Sequence, residues 1–285
     1  MKRRFLTRIL TEKETSELDY IQEIDNDTFE SIEKSIRIVD EVHNLMDLFL
    51  ILGNNYFEIA DFQVTHVEKF IKNIKDPLNI AKEDYTRLKI EINRIVQNYL
   101  SSVRMFIDHC DANLNRRFGK KSTEYLDFKK TLSEFYDNTF EYRFIYKLRN
   151  FCQHCGLPVS DFSIDNYQDF ITLELNFNSE YLLNEYDSWK ADLKKDLEQI
   201  NGLFSVNQVM SNHFKTMELI SKKIHSLYDS IFLSSLKKLD LYTKEYRDEF
   251  ELIIVTENNS TAESKNITIT RFPFDIIDKF KKGIC

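Results

Sequence analysis

Residues 140–158 read Phe140-Glu141-Tyr142-Arg143-Phe144-Ile145-Tyr146-Lys147-Leu148-Arg149-Asn150-Phe151-Cys152-Gln153-His154-Cys155-Gly156-Leu157-Pro158. Phe144, Leu148 and Phe151 recur three and four residues apart, with charged and amide residues between them. That is the period of a helix with one apolar stripe, and it predicts a helix over 140–154. Gly156 fits a left-handed C-cap, and Pro158 prevents continuation. Upstream, Leu88, Ile92, Ile95, Tyr99, Val103, Phe106 and Ile107 carry the same period over a longer helix, about 82–118. Gly119-Lys120-Lys121-Ser122 breaks it, and a helix at 123–136 leads into the quoted segment. Five Gly and three Pro in 285 residues leave little material for tight turns. The chain is therefore expected to be mainly α, a helical bundle of long antiparallel helices with small peripheral β-strands.

Outward from this core, residues 5–10 predict a short strand. A helix over 27–52 places Ile32, Ile36, Val39, Val42 and Met46 on one face, and Gly53-Asn54-Asn55 is expected to end it. Residues 56–65 read as extended or irregular, 65–75 as a short helix, and Asp76-Pro77 as a break. Alternation over 168–177 predicts a strand. A helix at 185–200 runs to Asn201-Gly202, and a second long helix spans about 205–248. Strands at 250–255 and 266–272 flank a polar loop, and an amphipathic helix closes the chain at 274–282. These elements suggest three parts: an N-terminal helical extension over 1–80, the bundle over 81–250, and a β-hairpin with a short helix over 251–285.

The formal charge is −8, which argues against nucleic-acid binding by the whole surface. The charge is uneven, however. Residues 86–160 hold 13 Lys/Arg against 8 Asp/Glu. Arg116, Arg117, Lys120, Lys121, Lys129 and Lys130 gather just ahead of the 140–154 helix, where they would draw a polyanion. No apolar run nears the roughly 20 residues that span a bilayer, and the acidic residues after Met1-Lys2-Arg3-Arg4 exclude a secretory h-region. A soluble cytoplasmic protein with no membrane partner is expected. Cys110, Cys152, Cys155 and Cys285 fit neither a disulfide framework nor a complete zinc site, so no metal and no cofactor is expected.

Arg149, Asn150 and His154 carry the chemistry that can be argued from residues. His154 can act as general base or acid on a ribose 2′-hydroxyl or a leaving 5′-oxygen. Arg149 can bind the phosphate and stabilise charge that develops on it. Asn150 lies one turn before His154 and can orient the imidazole or donate to a phosphate oxygen. Arg149 and His154 diverge by about 140° on an ideal helix, which the length of an arginine can bridge. RNA supplies its own nucleophile, so this chemistry needs no metal. An Arg five residues before a His arises by chance in about one chain in four of this composition, and the added Asn lowers that to about one in fifty. Arg104 and His109 show the same spacing without the Asn. Gln153, Arg104, Asp108, His109, Arg116, Arg117, Lys120 and Lys121 are the candidates for substrate binding. In one arrangement Asp108 orients His154, and in another His109 is a second acid or base. The only Trp, Trp189, reads as core packing.

The run from Tyr142 to Val159 resembles the R-x(4–6)-H signature of HEPN domains, and is similar to bacterial members with an L-R-N-x-x-Q-H-x-G-x-P core. The resemblance covers about 85–160 and extends to the helices up to 248. It implies a HEPN-type bundle in which the preceding long helix completes the site, with Arg149, Asn150 and His154 in it. It further implies a homodimer that brings two motifs into one cleft. The activity implied is metal-independent RNA cleavage leaving a 2′,3′-cyclic phosphate and a 5′-hydroxyl, in a bacterial toxin or antiphage defence effector held in check by an inhibitor or operon partner. Family members controlled by a nucleotidyltransferase antitoxin carry a Tyr two residues after the His, where this chain has Gly156, which puts that mode of control in doubt. Two other classes stand beside this one. The first is a non-catalytic HEPN scaffold that dimerises or binds RNA or nucleotides, and the second is a helical structural protein of a phage or plasmid.

Overall fold

The computed structural model describes residues 3–12, 15–63, 82–167, 170–244, 251–258 and 266–282. The chain is mainly helical, with small antiparallel sheets. By contact it divides into two units, Leu45–Ile224 and Met1–Asn44 with His225–Cys285. This grouping differs from a three-part division along the chain. Strand β1 (Arg3–Glu12) pairs antiparallel with β6 (Glu251–Asn258), so residues expected in separate parts share one sheet.

In the unit of residues 45–224, α2 (Lys82–Phe118) has the bounds and the buried stripe read from its sequence. Glu83 and Asp84 in its first turn and Arg116 and Arg117 in its last complement the helix dipole. Gly119, at φ +89°, turns the chain. Ser122 then caps α3 (Thr123–Asn138), its side chain accepting from the Tyr125 N–H. Thr139 is at once the C-cap of α3 and the N-cap of α4 (Phe140–His154). Helix α4 buries Tyr142, Phe144, Ile145, Leu148 and Phe151.

Beyond α4, β3 (Asp161–Tyr167), β4 (Phe170–Asn178) and β5 (Leu203–Ser205) form an antiparallel sheet in the order β3-β4-β5. The region expected as one helix at 185–200 is two, α5 (Ser179–Glu185) and α6 (Ala191–Ile200). They separate because Trp189 is buried between them and its indole N–H donates to the Leu182 carbonyl at 2.9 Å. The Trp189 ring stacks near those of Phe144 and Phe151, which ties the break to α4. Asn201 (φ 47°) and Gly202 (φ 135°) end α6 as the sequence implies.

Helix α1 (Asn26–Asp61) does not stop at Gly53. Phe49 and Tyr56, two turns apart on α1, both stack on Phe214 of α7 (Val206–Thr243) at 5.9 and 4.4 Å. Gly53 lies between them, where a Cβ would meet the Phe214 ring at 3.7 Å. Burial of this aromatic face outweighs the roughly 1 kcal/mol that an internal glycine costs a helix. Residues expected to be extended or irregular at 56–61 are therefore helical. The short helix expected at 65–75 and the break at Asp76-Pro77 lie outside the described residues.

In the other unit, four antiparallel strands lie in the order β2-β1-β6-β7, with β2 at Thr15–Glu23 and β7 at Asn266–Arg271. Residues 3–12 and 15–23 are thus a strand pair where a helical extension was expected. Leu6, Leu252 and Ile254 from the sheet pack with Phe29, Ile32, Ile36 and Val39 of α1, Leu236 and Leu239 of α7, and Ile276 and Ile277 of α8 (Phe274–Lys281). Glu17, Asp19 and Glu23 line the edge strand β2, and such charges discourage further pairing there.

The turn after α4 departs from its expectation. Gly156 is not left-handed, since the glycines with positive φ among the described residues are Gly119 and Gly202. Cys155 caps the helix at φ −123°, and the N–H groups of Cys155 and Gly156 both donate to the Phe151 carbonyl. The glycine is required by space: a Cβ at 156 would lie 2.7 Å from the Tyr181 hydroxyl. Gly156→Ala is expected to cost about 1–2 kcal/mol by overpacking, and Tyr181→Phe in the same chain to restore most of it. Urea midpoints of the two variants and the double variant check this, and an additive double variant would show that the two positions do not clash.

Candidate functional site

Arg143 shows how this chain uses an arginine for structure. Its Nη1 donates to the carbonyls of Tyr136 and Asp137 at 3.1 and 2.8 Å, where α3 ends, and its Nη2 donates to Asp196 Oδ2 at 2.8 Å. Asn93 of α2 is likewise consumed by the fold. Buried to 1% exposure, it donates from Nδ2 to the Lys89 and Val159 carbonyls and accepts the Val159 N–H on Oδ1 at 3.0 Å. This clamp fixes the segment that follows α4.

Arg149 and His154 are not held in this way. Arg149 is half-exposed, and its Nη1 donates to Gln153 Oε1 at 3.3 Å, one turn along the same helix. His154 is exposed and Asn150 half-buried, and neither side chain has a hydrogen bond or ion pair among the described residues. Arg149 lines a narrow crevice of about 20 Å³ with Leu100, Arg104, Tyr142, Tyr146 and His213. That is the space of a single water. Asn150, Gln153 and His154 are not in its lining. The helical divergence of five residues is thus realised: within one copy the arginine and the histidine of the motif serve different sides of α4.

Arg104 stands beside the motif helix. Its Nε pairs with Asp108 Oδ2 at 2.8 Å, and its guanidinium lies 5.6 Å from the Tyr146 ring centroid. Asp108 is therefore engaged one turn back on its own helix and does not orient His154. His109 is exposed and lines neither the crevice nor the larger cleft next to it. Arg116 donates to Asn113, and Lys120 and Lys121 are exposed in the turn after α2. Arg116 and Arg117 lie about 18–20 Å along the helix axis from Arg104, at 1.5 Å per residue. The structure so brings Arg104, Asp108 and Arg149 together and leaves His109, His154 and the 116–121 cluster apart from them. Burial pushes the Cys152 thiol up to about 12, so it is no nucleophile near neutral pH. Among the described residues no three His, Cys, Asp or Glu side chains group to hold a metal ion.

The sequence reading missed His213. It lies on α7 in an apolar stripe with Val209, Met210, Met217 and Ile220, and a histidine at such a position was the available signal. It is 1% exposed, with its Nδ1 2.7 Å from the Tyr99 hydroxyl and the Tyr142 ring stacked on it at 5.8 Å. Burial holds the imidazole down to about 3, and burial also raises the Tyr99 phenol well above its ordinary value. With both neutral, the phenol O–H donates to Nδ1. The unfolded imidazole titrates near 6.5 and so takes up a proton first as pH falls. Stability from this site is complete above about pH 6.5 and declines between 6.5 and 3, by at most about 1.4 kcal/mol per pH unit. His213→Gln is expected to flatten that acid limb. Urea midpoints at pH 7 and pH 5 test it, and an equal loss in both proteins would exclude His213 as the cause.

No helix among the described residues is long and apolar enough to cross a membrane. No family model, curated protein or solved structure matches the chain.

Proposed function

We propose that the chain is a metal-independent endoribonuclease of the HEPN type, acting as a homodimer in bacterial toxicity or antiphage defence. One observation carries the reading. The fold consumes Arg143, Asn93 and His213 in hydrogen bonds or burial, yet leaves Arg149 half-exposed and His154 exposed on the same helix. Polar groups kept out of structural use at the end of a rigid helix are the ones available to a substrate.

In the proposed reaction His154 takes the proton of a ribose 2′-hydroxyl. The resulting oxygen forms a bond to the adjacent phosphorus, and the bond to the 5′-oxygen breaks. That oxygen leaves with a proton from a general acid, giving a 2′,3′-cyclic phosphate and a 5′-hydroxyl. Arg149 binds the non-bridging oxygens as negative charge builds on them. Because Arg149 and His154 diverge on one helix, a second copy laid against α4 is the arrangement that puts both residue types, and a second imidazole as the acid, around one phosphate.

The same divergence favours a second reading, a non-catalytic HEPN scaffold that binds RNA or nucleotides. Incubating the purified full chain with RNA in the presence of a chelator separates the two. Fragments with cyclic phosphate and 5′-hydroxyl ends support the enzyme. Bound but intact RNA selects the scaffold, and neither binding nor cleavage overturns both.

A further inference from the structure

Beside the Arg149 crevice lies a cleft of about 510 Å³ between α2, α3 and α4. This is within the range of small-molecule sites and large enough for one nucleotide. Arg104, Ile107, Tyr142 and Tyr146 line both spaces, so the cleft and the crevice share a wall.

The lining of the cleft selects a class of ligand. Its charged groups are Arg104, Lys129 and Lys190 against Asp108, Asp111 and Asp137, which cancel formally. Most are also engaged: Arg104 with Asp108 at 2.8 Å, Lys129 with Asp111 at 2.9 Å, and Lys190 over the Tyr136 ring at 4.7 Å. A free anion gains little in such a space. A planar, uncharged, hydrogen-bonding ring gains more. Tyr136 and Tyr146 meet edge to face at 5.8 Å, and Tyr146 keeps 44% of its surface exposed. Positive charge not cancelled within the cleft comes from Arg149, on the crevice side of the shared wall.

We propose that this cleft seats one unstacked nucleobase against Tyr146 and Tyr136, with the attached phosphate at the shared wall, on its Arg149 side. The proposal deepens the ribonuclease reading and rests on it for the source of the nucleotide, a single-stranded RNA. It would make the enzyme selective for unpaired RNA, since a base within a duplex cannot enter.

The test uses the full chain and a fluorescent 2′-O-methyl single-stranded oligonucleotide, which binds but offers no nucleophile. Failure of the cleavage chemistry therefore leaves this measurement intact. Tyr146→Ala is expected to weaken binding tenfold or more, the scale of losing one stacked base. Tyr146→Phe keeps the ring and should bind as the parent does. Tyr146→Leu, which keeps apolar bulk but no aromatic face, should weaken binding severalfold with little change in melting temperature. A duplex of the same sequence should bind weakly and respond to none of these changes. One further arm assigns the source: a nucleoside monophosphate bound with the same Tyr146 dependence, with the oligonucleotide unbound, supports the base site and overturns an RNA strand as its occupant. Oligonucleotide binding by a folded Tyr146→Ala equal to that of the parent overturns the proposal, as does Tyr146→Leu binding unchanged if Tyr146→Ala does not fold.

Discussion

His154→Ala is expected to lower the single-turnover rate of RNA cleavage by about 10²–10⁴-fold, the usual worth of a positioned acid or base. Arg149→Ala is expected to cost about 10²–10³-fold through lost stabilisation of transition-state charge. Neither change should disturb the fold. His154 is exposed, and the hydrogen bond of Arg149 is to Gln153 on its own helix, so melting should stay within about 0.5 kcal/mol of the parent. Arg143→Ala supplies the opposite pattern, because it breaks the pair with Asp196 and uncaps α3; it should lose stability first. His109 offers a control of the same residue type, also five residues after an arginine, and His109→Ala should cleave RNA as the parent does. In bacteria, induced expression should arrest growth and fragment RNA for the parent and for His109→Ala, and do neither for His154→Ala. A His154→Ala protein that cleaves at the parental rate removes the motif from the chemistry.

Asn93→Ala is expected to destabilise the chain by about 3 kcal/mol. The substitution removes three hydrogen bonds and leaves the Val159 N–H and carbonyl without partners in a buried site. Each such orphan costs about 1–3 kcal/mol. Val159 follows the motif helix by five residues, so the loss falls on the segment that holds the end of α4 in place. Urea unfolding measures the change. A loss under 1 kcal/mol would mean that the clamp is replaced by other partners.

The parts of the fold that were legible from the sequence are those whose burial follows a local period. Helix α2 was readable from Leu88 to Ile107 because each turn places an apolar residue on one face, and α4 likewise from Phe144 to Phe151. Strand β2 was not, because it is an edge strand that alternates charged residues with few apolar ones and takes its register from β1. The continuation of α1 past Gly53 was hidden for another reason: it depends on Phe214, more than 150 residues away. The candidate site was legible as residue types but not as an arrangement. Spacing indicated that Arg149 and His154 diverge, yet only the packing of α2 and α7 on α4 shows that Arg149 shares a crevice with Arg104 and His213. Asn93 gave no signal at all, since a buried amide that clamps a distant backbone resembles any other asparagine on a helix.

The pairing of β1 with β6 bears on how the protein is made. Leu6 stands opposite Ile254 in the sheet, so β1 meets its neighbour only after all the residues between them have been synthesised. At about 5–20 residues per second that delay is on the order of tens of seconds. Residues 45–224 emerge complete within that interval, so the unit carrying Arg149 and His154 can assemble before the sheet closes. Until then β1 has only β2 beside it and its other edge is open. Nascent chains stalled before residue 251 are the ones that would expose this edge to a chaperone or to one another.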